Sequence, residues 1–186
     1  MQLSFAAPHA IDSGAWIVGA FEGGTLSAAA QKADKAAGGA LSRGLKVSKF
    51  TGKAGQVLEV LAPAGLPVSR IILAGLGKAF DASAAENLGA AINGRLNGAG
   101  ETAVTYEIDV PKGSKLKAGE LAAHIALGAR LKSYSFNHYR TKNLEEYEQK
   151  LKTVTIATSA VADAKKSWTA LEAIAGGMYF ARDLVN

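Results

Sequence analysis

The chain has 186 residues, of which 48% are apolar, so it suits one well-cored domain, or one domain with a connecting segment. It contains no cysteine, which excludes a disulfide framework and thiolate chemistry, and its net charge is +5. No stretch approaches the roughly 18 consecutive apolar residues of a membrane span. The start, Met1 to Gly14, lacks the basic region and long apolar centre of a signal peptide. Together these favour a cytoplasmic protein with no membrane partner.

Gln2 to Ala7 reads as a short strand closed by Pro8. Ala15 to Phe21, AWIVGAF, is a continuous apolar run of strand length, the pattern of a strand buried on both faces. After Gly23-Gly24, Thr25 can cap a helix running to about Ala37, and Ala40 to Val47 adds one short helical turn. Gly52 and Gly55 suit a tight hairpin between Val47–Phe50 and Gln56–Leu61. Val68 to Ala74 is the strongest strand pattern, running into Gly75-Leu76-Gly77-Lys78 and then a helix over Ser83–Leu96. Thr102 to Asp109 alternates as a strand, Leu116 to Lys132 returns to helix, and Thr153 to Thr158 is a β-branched strand. This alternation predicts an α/β sandwich with a mixed sheet.

From Asp163 to Asn186 the chain reads as one helix of roughly 30 Å at 1.5 Å per residue, with Asp163 as N-cap. Leu171, Ile174, Met178, Ala181 and Val185 share one face, flanked by Trp168 and Phe180. Two readings follow. The helix docks on its own domain, or it leads into something else and leaves Met178, Ala181, Leu184 and Val185 under-buried.

Candidate chemistry is sparse. A strand, a glycine turn and a helix invite a phosphate-site reading at Gly75–Lys78. However, Ile72 and Ala79 stand where a Walker loop needs Gly and Ser or Thr, and Phe80 where a dinucleotide fingerprint needs a small residue. The other reading is that the glycines permit a sharp connection. His9, His124 and His138 have no two-histidine metal spacing, and Glu145, Glu146 and Glu148 sit beside Lys142 and Lys150 as a charge-balanced segment. No G-x-S-x-G elbow is present. No catalytic, cofactor-binding or metal-binding residue is assigned.

Charge is uneven. From Pro111 to Lys150 there are eight basic residues (Lys112, Lys115, Lys117, Arg130, Lys132, Arg140, Lys142, Lys150) against four glutamates. From Pro63 to Val110 three basic residues face five acidic ones. The basic 111–150 region is either a solvated surface or a nucleic-acid-binding module that would bind DNA through phosphate neutralisation.

Four phrases stand out in order: FTGK at Phe50–Lys53, IILAGLGK at Ile71–Lys78, YSFNHY at Tyr134–Tyr139, and GMYFARDLVN at Gly177–Asn186. Together they resemble the N-terminal region of leucyl aminopeptidases, the cytosol aminopeptidase family, and ARDLVN resembles the signature at that family's domain junction. The resemblance implies a macro-domain-like mixed sheet flanked by helices over residues 1–162, then a long C-terminal connecting helix over 163–186. It implies a parent enzyme that removes N-terminal amino acids from peptides with two divalent ions (manganese, zinc or magnesium), assembled as a homohexamer. The family's catalytic domain, with its Lys, Asp and Glu ligands and its NTDAEGR motif, has no counterpart in these residues. On this reading the 186 residues are inactive and hold no cofactor. They serve packing against their own catalytic domain and subunit contacts. The resemblance to macro domains also makes a nucleotide-like ligand cleft near the glycine turn conceivable, and DNA binding by some family members would fall in the basic region.

Overall fold

A computed structural model describes residues 1–136 and 149–185 of the chain. One sheet runs in the order β1-β7-β6-β2-β5-β4, with β3 attached to β2. Its strands are β1 (Gln2–Ala6), β2 (Ala15–Phe21), β3 (Thr25–Leu26), β4 (Val57–Leu61), β5 (Arg70–Gly75), β6 (Ala103–Glu107) and β7 (Thr153–Ala157). β1, β7, β6, β2 and β5 are parallel, whereas β3 and β4 are antiparallel to their neighbours. β2 lies centrally and is buried from Ala15 to Ala20, which is why its sequence is apolar without alternation.

The helices are α1 (Ala28–Ala36), α2 (Ala40–Val47), α3 (Ala82–Gly98), α4 (Ala118–Lys132) and α5 (Val161–Val185). α1 and α2 close over Trp16, Val18, Ala20, Ile71 and Leu73. The opposite face, with Ile17, Ile72, Val104, Tyr106 and Ile156, is covered by α3, α4 and the start of α5. The predicted mixed α/β architecture is therefore correct. The α3–α4 crossing is close enough that a Cβ on Gly128 would overlap the Glu86 carbonyl and one on Gly89 the Ile125 carbonyl. Tyr106 is buried beneath these helices, donates to the Gly89 carbonyl at 3.3 Å, and has its phenol pKa pushed well above the usual range by burial.

Several local expectations change. Thr25 is not the cap of α1, because Thr25–Leu26 pairs with β2; Ser27 Oγ accepts from Ala30 N instead. The hairpin between Val47–Phe50 and Gln56–Leu61 does not form, since Val47 closes α2, itself two turns long rather than one. β4 pairs with β5 across the Pro63–Pro67 turn, so the sheet is mixed for a different reason from the predicted one. Asp163 lies in the first turn of α5, which begins two residues earlier at Val161.

Candidate functional site

FTGK and the glycine turn after β5 meet backbone to backbone. Gly75 N donates to Gln56 O, Leu76 N to Ala20 O and Gly77 N to Gly52 O, each at 2.9 Å. A Cβ on Gly75 would overlap the Lys53 carbonyl, and one on Gly52 the Phe21 carbonyl. These amides are spent on protein carbonyls rather than held open for an anion, and Asp81 caps α3 by accepting from Ala84 N at 2.9 Å. The glycines serve the close connection, and the phosphate-loop alternative fails.

β2 leads to α1 on one face, whereas β5 and β6 lead to α3 and α4 on the other, so chain direction switches at the carboxyl ends of these strands. A cleft of about 610 Å³ opens there, lined by Phe21, Leu26, Gly77, Lys78, Asp109 and Val110 among others. Asp109 Oδ2 accepts from Ala29 N at 2.8 Å, so a carboxylate of the chain itself occupies the start of α1. That arrangement opposes an anionic ligand at this helix end.

At the opposite edge of the sheet the other two phrases also meet. Tyr134 OH donates to Asp183 Oδ1 at 2.8 Å, and the Tyr134 and Tyr179 rings lie 5.1 Å apart. The Arg182 guanidinium stacks over Tyr134 at 5.2 Å and donates to Leu131 O at 3.2 Å. Arg130 covers Tyr179, whose hydroxyl donates back to the Arg130 carbonyl. This clamp fastens the second half of α5 to the end of α4. The first half is held by Ala164, by Trp168 against Phe5 with ring centroids 6.2 Å apart, and by Ala175.

The anchored face of α5 is thus Ala164, Trp168, Leu171, Ala175, Tyr179 and Arg182. It is rotated by roughly 80°, at 100° per residue, from the apolar stripe expected to be one continuous face. Apart from Leu171, which the two faces share, the stripe stays open: Ile174 is 53% exposed, Met178 38% and Val185 84%, and Leu184 beside it is 70% exposed. These side chains form an exposed apolar face along the second half of α5.

Among the described residues, the basic side chains before α4 and those at its end do not gather. Lys112, Lys115 and Lys117 precede α4, whereas Arg130 and Lys132 lie at its end, about 20 Å away at 1.5 Å per residue. Arg130 is engaged in the clamp and donates to Met1 O at 3.1 Å. Arg140, Lys142, His138, Glu145, Glu146, Glu148 and Asn186 lie outside the described residues. His9 Nδ1 lies 2.9 Å from Ala7 O, and His124 Nδ1 lies 2.7 Å from Glu86 Oε1, tying α4 to α3. Among the described residues no group of three or more His, Asp or Glu side chains converges, so they do not fit a two-metal centre.

Sequence reasoning missed a charge network on the β4 edge. Arg70 donates to Glu59 at 2.7 Å and to Glu101 at 2.6 Å, and Arg95 also binds Glu59. Burial raises the Glu59 pKa, but the hydrogen bonds and charges of Arg95 and Arg70 outweigh it and leave the carboxyl below its ordinary range. Its bonded pairs are 11, 31 and 36 positions apart along the chain, so only the strand pairing could have found it.

The arrangement is that of a three-layer α/β domain carrying a long helix with one docked and one open face. The N-terminal domain of the cytosol aminopeptidase family matches residues 17–143, and the chain belongs to that family. A probable cytosol aminopeptidase of Rhizobium etli (strain CIAT 652) is 38% identical over 189 residues, covering 100% of this chain and 37% of that protein. One from Xanthobacter autotrophicus is 37% identical over 186 residues, covering 99% and 37%. The chain therefore spans about 37% of the length of these curated relatives. Among solved structures, a mutant of tomato leucine aminopeptidase superposes with a TM-score of 0.78 at 22% identity, covering 100% of this chain and 38% of that one. A bottromycin maturation enzyme in complex with Mn gives 0.63 at 22% identity, covering 92% and 31%. At that identity the two structures establish the fold alone.

Proposed function

We propose that residues 1–162 are the non-catalytic, macro-like N-terminal domain of a leucyl-type aminopeptidase and that residues 163–186 connect it to a catalytic domain. On this reading the parent is a cytoplasmic hydrolase that releases N-terminal amino acids from peptides. Two divalent ions (manganese, zinc or magnesium) would be held by that other domain. The present domain serves packing against it and contacts between subunits of a homohexamer.

The open stripe of α5 carries the reading. A helix pinned at Trp168 and again at Tyr179 and Arg182 has its direction fixed, yet Ile174, Met178 and Val185 face outward. Covering side chains of this size is worth about 1.5–3 kcal/mol each, which suits a permanent intramolecular contact. The purified 186-residue chain, given manganese and a leucine anilide, is expected to release no product. Turnover by a pure preparation would overturn the assignment of chemistry to the other domain. In the full-length parent, Ile174→Lys with Met178→Lys should lower the melting temperature by several degrees; an unchanged melting temperature would remove the stripe from the interdomain contact.

A further inference from the structure

We propose that β4 is a self-association edge, pairing antiparallel with β4 of a second copy of this chain across a two-fold axis at Glu59. This gives the subunit-contact part of the function proposed above a definite surface and rests on that part of it. The evidence for it lies wholly on the sheet edge remote from α5.

β4 ends the sheet, and among the described residues nothing pairs with its outer side. Its register with β5 joins Val57 to Ala74 and Leu61 to Arg70. Gly75 N donates to Gln56 O and Ala62 N to Ser69 O, so the even-numbered positions bond inward. The amides and carbonyls of Val57, Glu59 and Leu61 therefore point outward, ready for another strand. Natural edges are commonly blunted by lysine or proline, and the strand VLEVL has neither.

The same three residues put their side chains on the α3 side, where Glu59 meets Arg95. On the other face α2 covers the strand, with Gly44 against Leu58. On the α3 side a largely apolar groove of about 460 Å³ runs between Val57 and α3, lined by Phe80, Ala84, Leu88 and Ala91, with Asp81, Ser83 and Asn87 as its polar part. Leu61, two residues beyond Glu59, is 64% exposed, and Val57, two residues before it, is 37% exposed. A two-fold at Glu59 places Leu61 of each copy opposite Val57 of the other, at the mouth of that apolar groove. Knob and groove are thus related by the symmetry that strand pairing itself imposes.

Charge permits the approach. The chain as a whole carries +5, which makes copies repel. At this edge Arg70 and Arg95 balance Glu59 and Glu101, so the side-chain network on the α3 side is locally neutral. The two Glu59 carboxylates that meet at the axis each keep Arg70 and Arg95 of their own copy. Five residues of edge bury less than the roughly 800 Å² per partner of a standard stable interface, so the isolated chain should self-associate weakly and reversibly.

The absence of cysteine makes the register testable by cross-linking. Directly opposed residues of a bonded antiparallel pair have Cα atoms about 5.5 Å apart, within the span a disulfide bridges. Val57→Cys and Leu61→Cys variants are mixed under mild oxidation, and each is also oxidised alone, with circular dichroism confirming that both are folded. The expected result is at least a five-fold excess of disulfide-linked dimer in the mixture over either variant alone. A second measurement, sedimentation of the unmodified chain against Leu61→Lys, should show concentration-dependent association lost in the variant. Equal cross-linking in all three samples, or a chain that stays monomeric at every concentration, overturns the proposal. Binding of an unrelated extended peptide at β4 without self-association overturns it as well. Because neither assay involves α5 or catalysis, failure here leaves the interdomain role standing, and failure of that role leaves this edge untouched.

Discussion

α4 and α5 are similar helices in sequence and different ones in the molecule. Both are rich in alanine, both follow a parallel strand, and they lie side by side in the same direction, with Gly119 against Ala164 at one end and Arg130 against Tyr179 at the other. α4 is wedged between α3 and α5 and buries Gly119, Leu121, Ala122, Ala123, Ile125, Ala126, Leu127, Gly128 and Ala129. α5 is the outer member and buries only Ala164, Trp168 and Ala175. Apolar content alone does not say whether a helix is internal. Position in the layer does, and position follows from strand order: β6 is interior and β7 is next to the edge.

The largest test of this contrast is Gly128→Val in α4. Its side chain has no room against the Glu86 carbonyl, so the α3–α4 crossing must open, at a cost of about 3 kcal/mol or more. Urea denaturation would measure this, and a loss below 1 kcal/mol would show that the crossing is looser than its geometry. Trp168→Ala comes next. It removes the main anchor of α5, with an expected loss of about 3 kcal/mol, and amide exchange should quicken along α5 more than along α4.

Away from both helices, Glu59→Gln gives a smaller effect with a pH signature. A carboxyl whose folded pKa is depressed below the ordinary 4.5 stabilises fully above that value and loses the contribution as pH falls through the folded pKa. The variant should therefore be about 1 kcal/mol less stable at pH 7. The gap should close in acid below pH 4.5. A gap that widens in acid would contradict the network. The smallest effect is expected of Met178→Lys in the 186-residue chain, within about 0.5 kcal/mol of the parent sequence because that face is open. A large loss would mean that the stripe is already covered.

Much of this was legible in the chain. AWIVGAF marked the central strand to the residue, since burial on both faces leaves no alternation to misread. The four phrases were visible as family marks. That they meet in two pairs, FTGK with the glycine turn and Tyr134 with Arg182, was not, because backbone contacts between distant segments leave no periodic trace. The hairpin was assigned to the wrong partner because the glycines at 52 and 55 look like a turn between neighbours, whereas Gly52 exists for its approach to Phe21. Periodicity marks the stripe of α5 and, beside it, Leu171 and Trp168; the rest of the docking face, Ala164, Ala175 and the polar ends of Tyr179 and Arg182, consists of residues that apolar periodicity discounts.

The two anchorages of α5 have a thermodynamic corollary. Trp168 and Tyr179 are eleven residues apart, about 16 Å along the axis at 1.5 Å per residue, like two supports under a beam. The order that any partner of the open face would require is already present before contact is made. The entropy of straightening and aiming that helix is met inside this domain's own folding, so association there forgoes the ordering cost that a loose linker would impose.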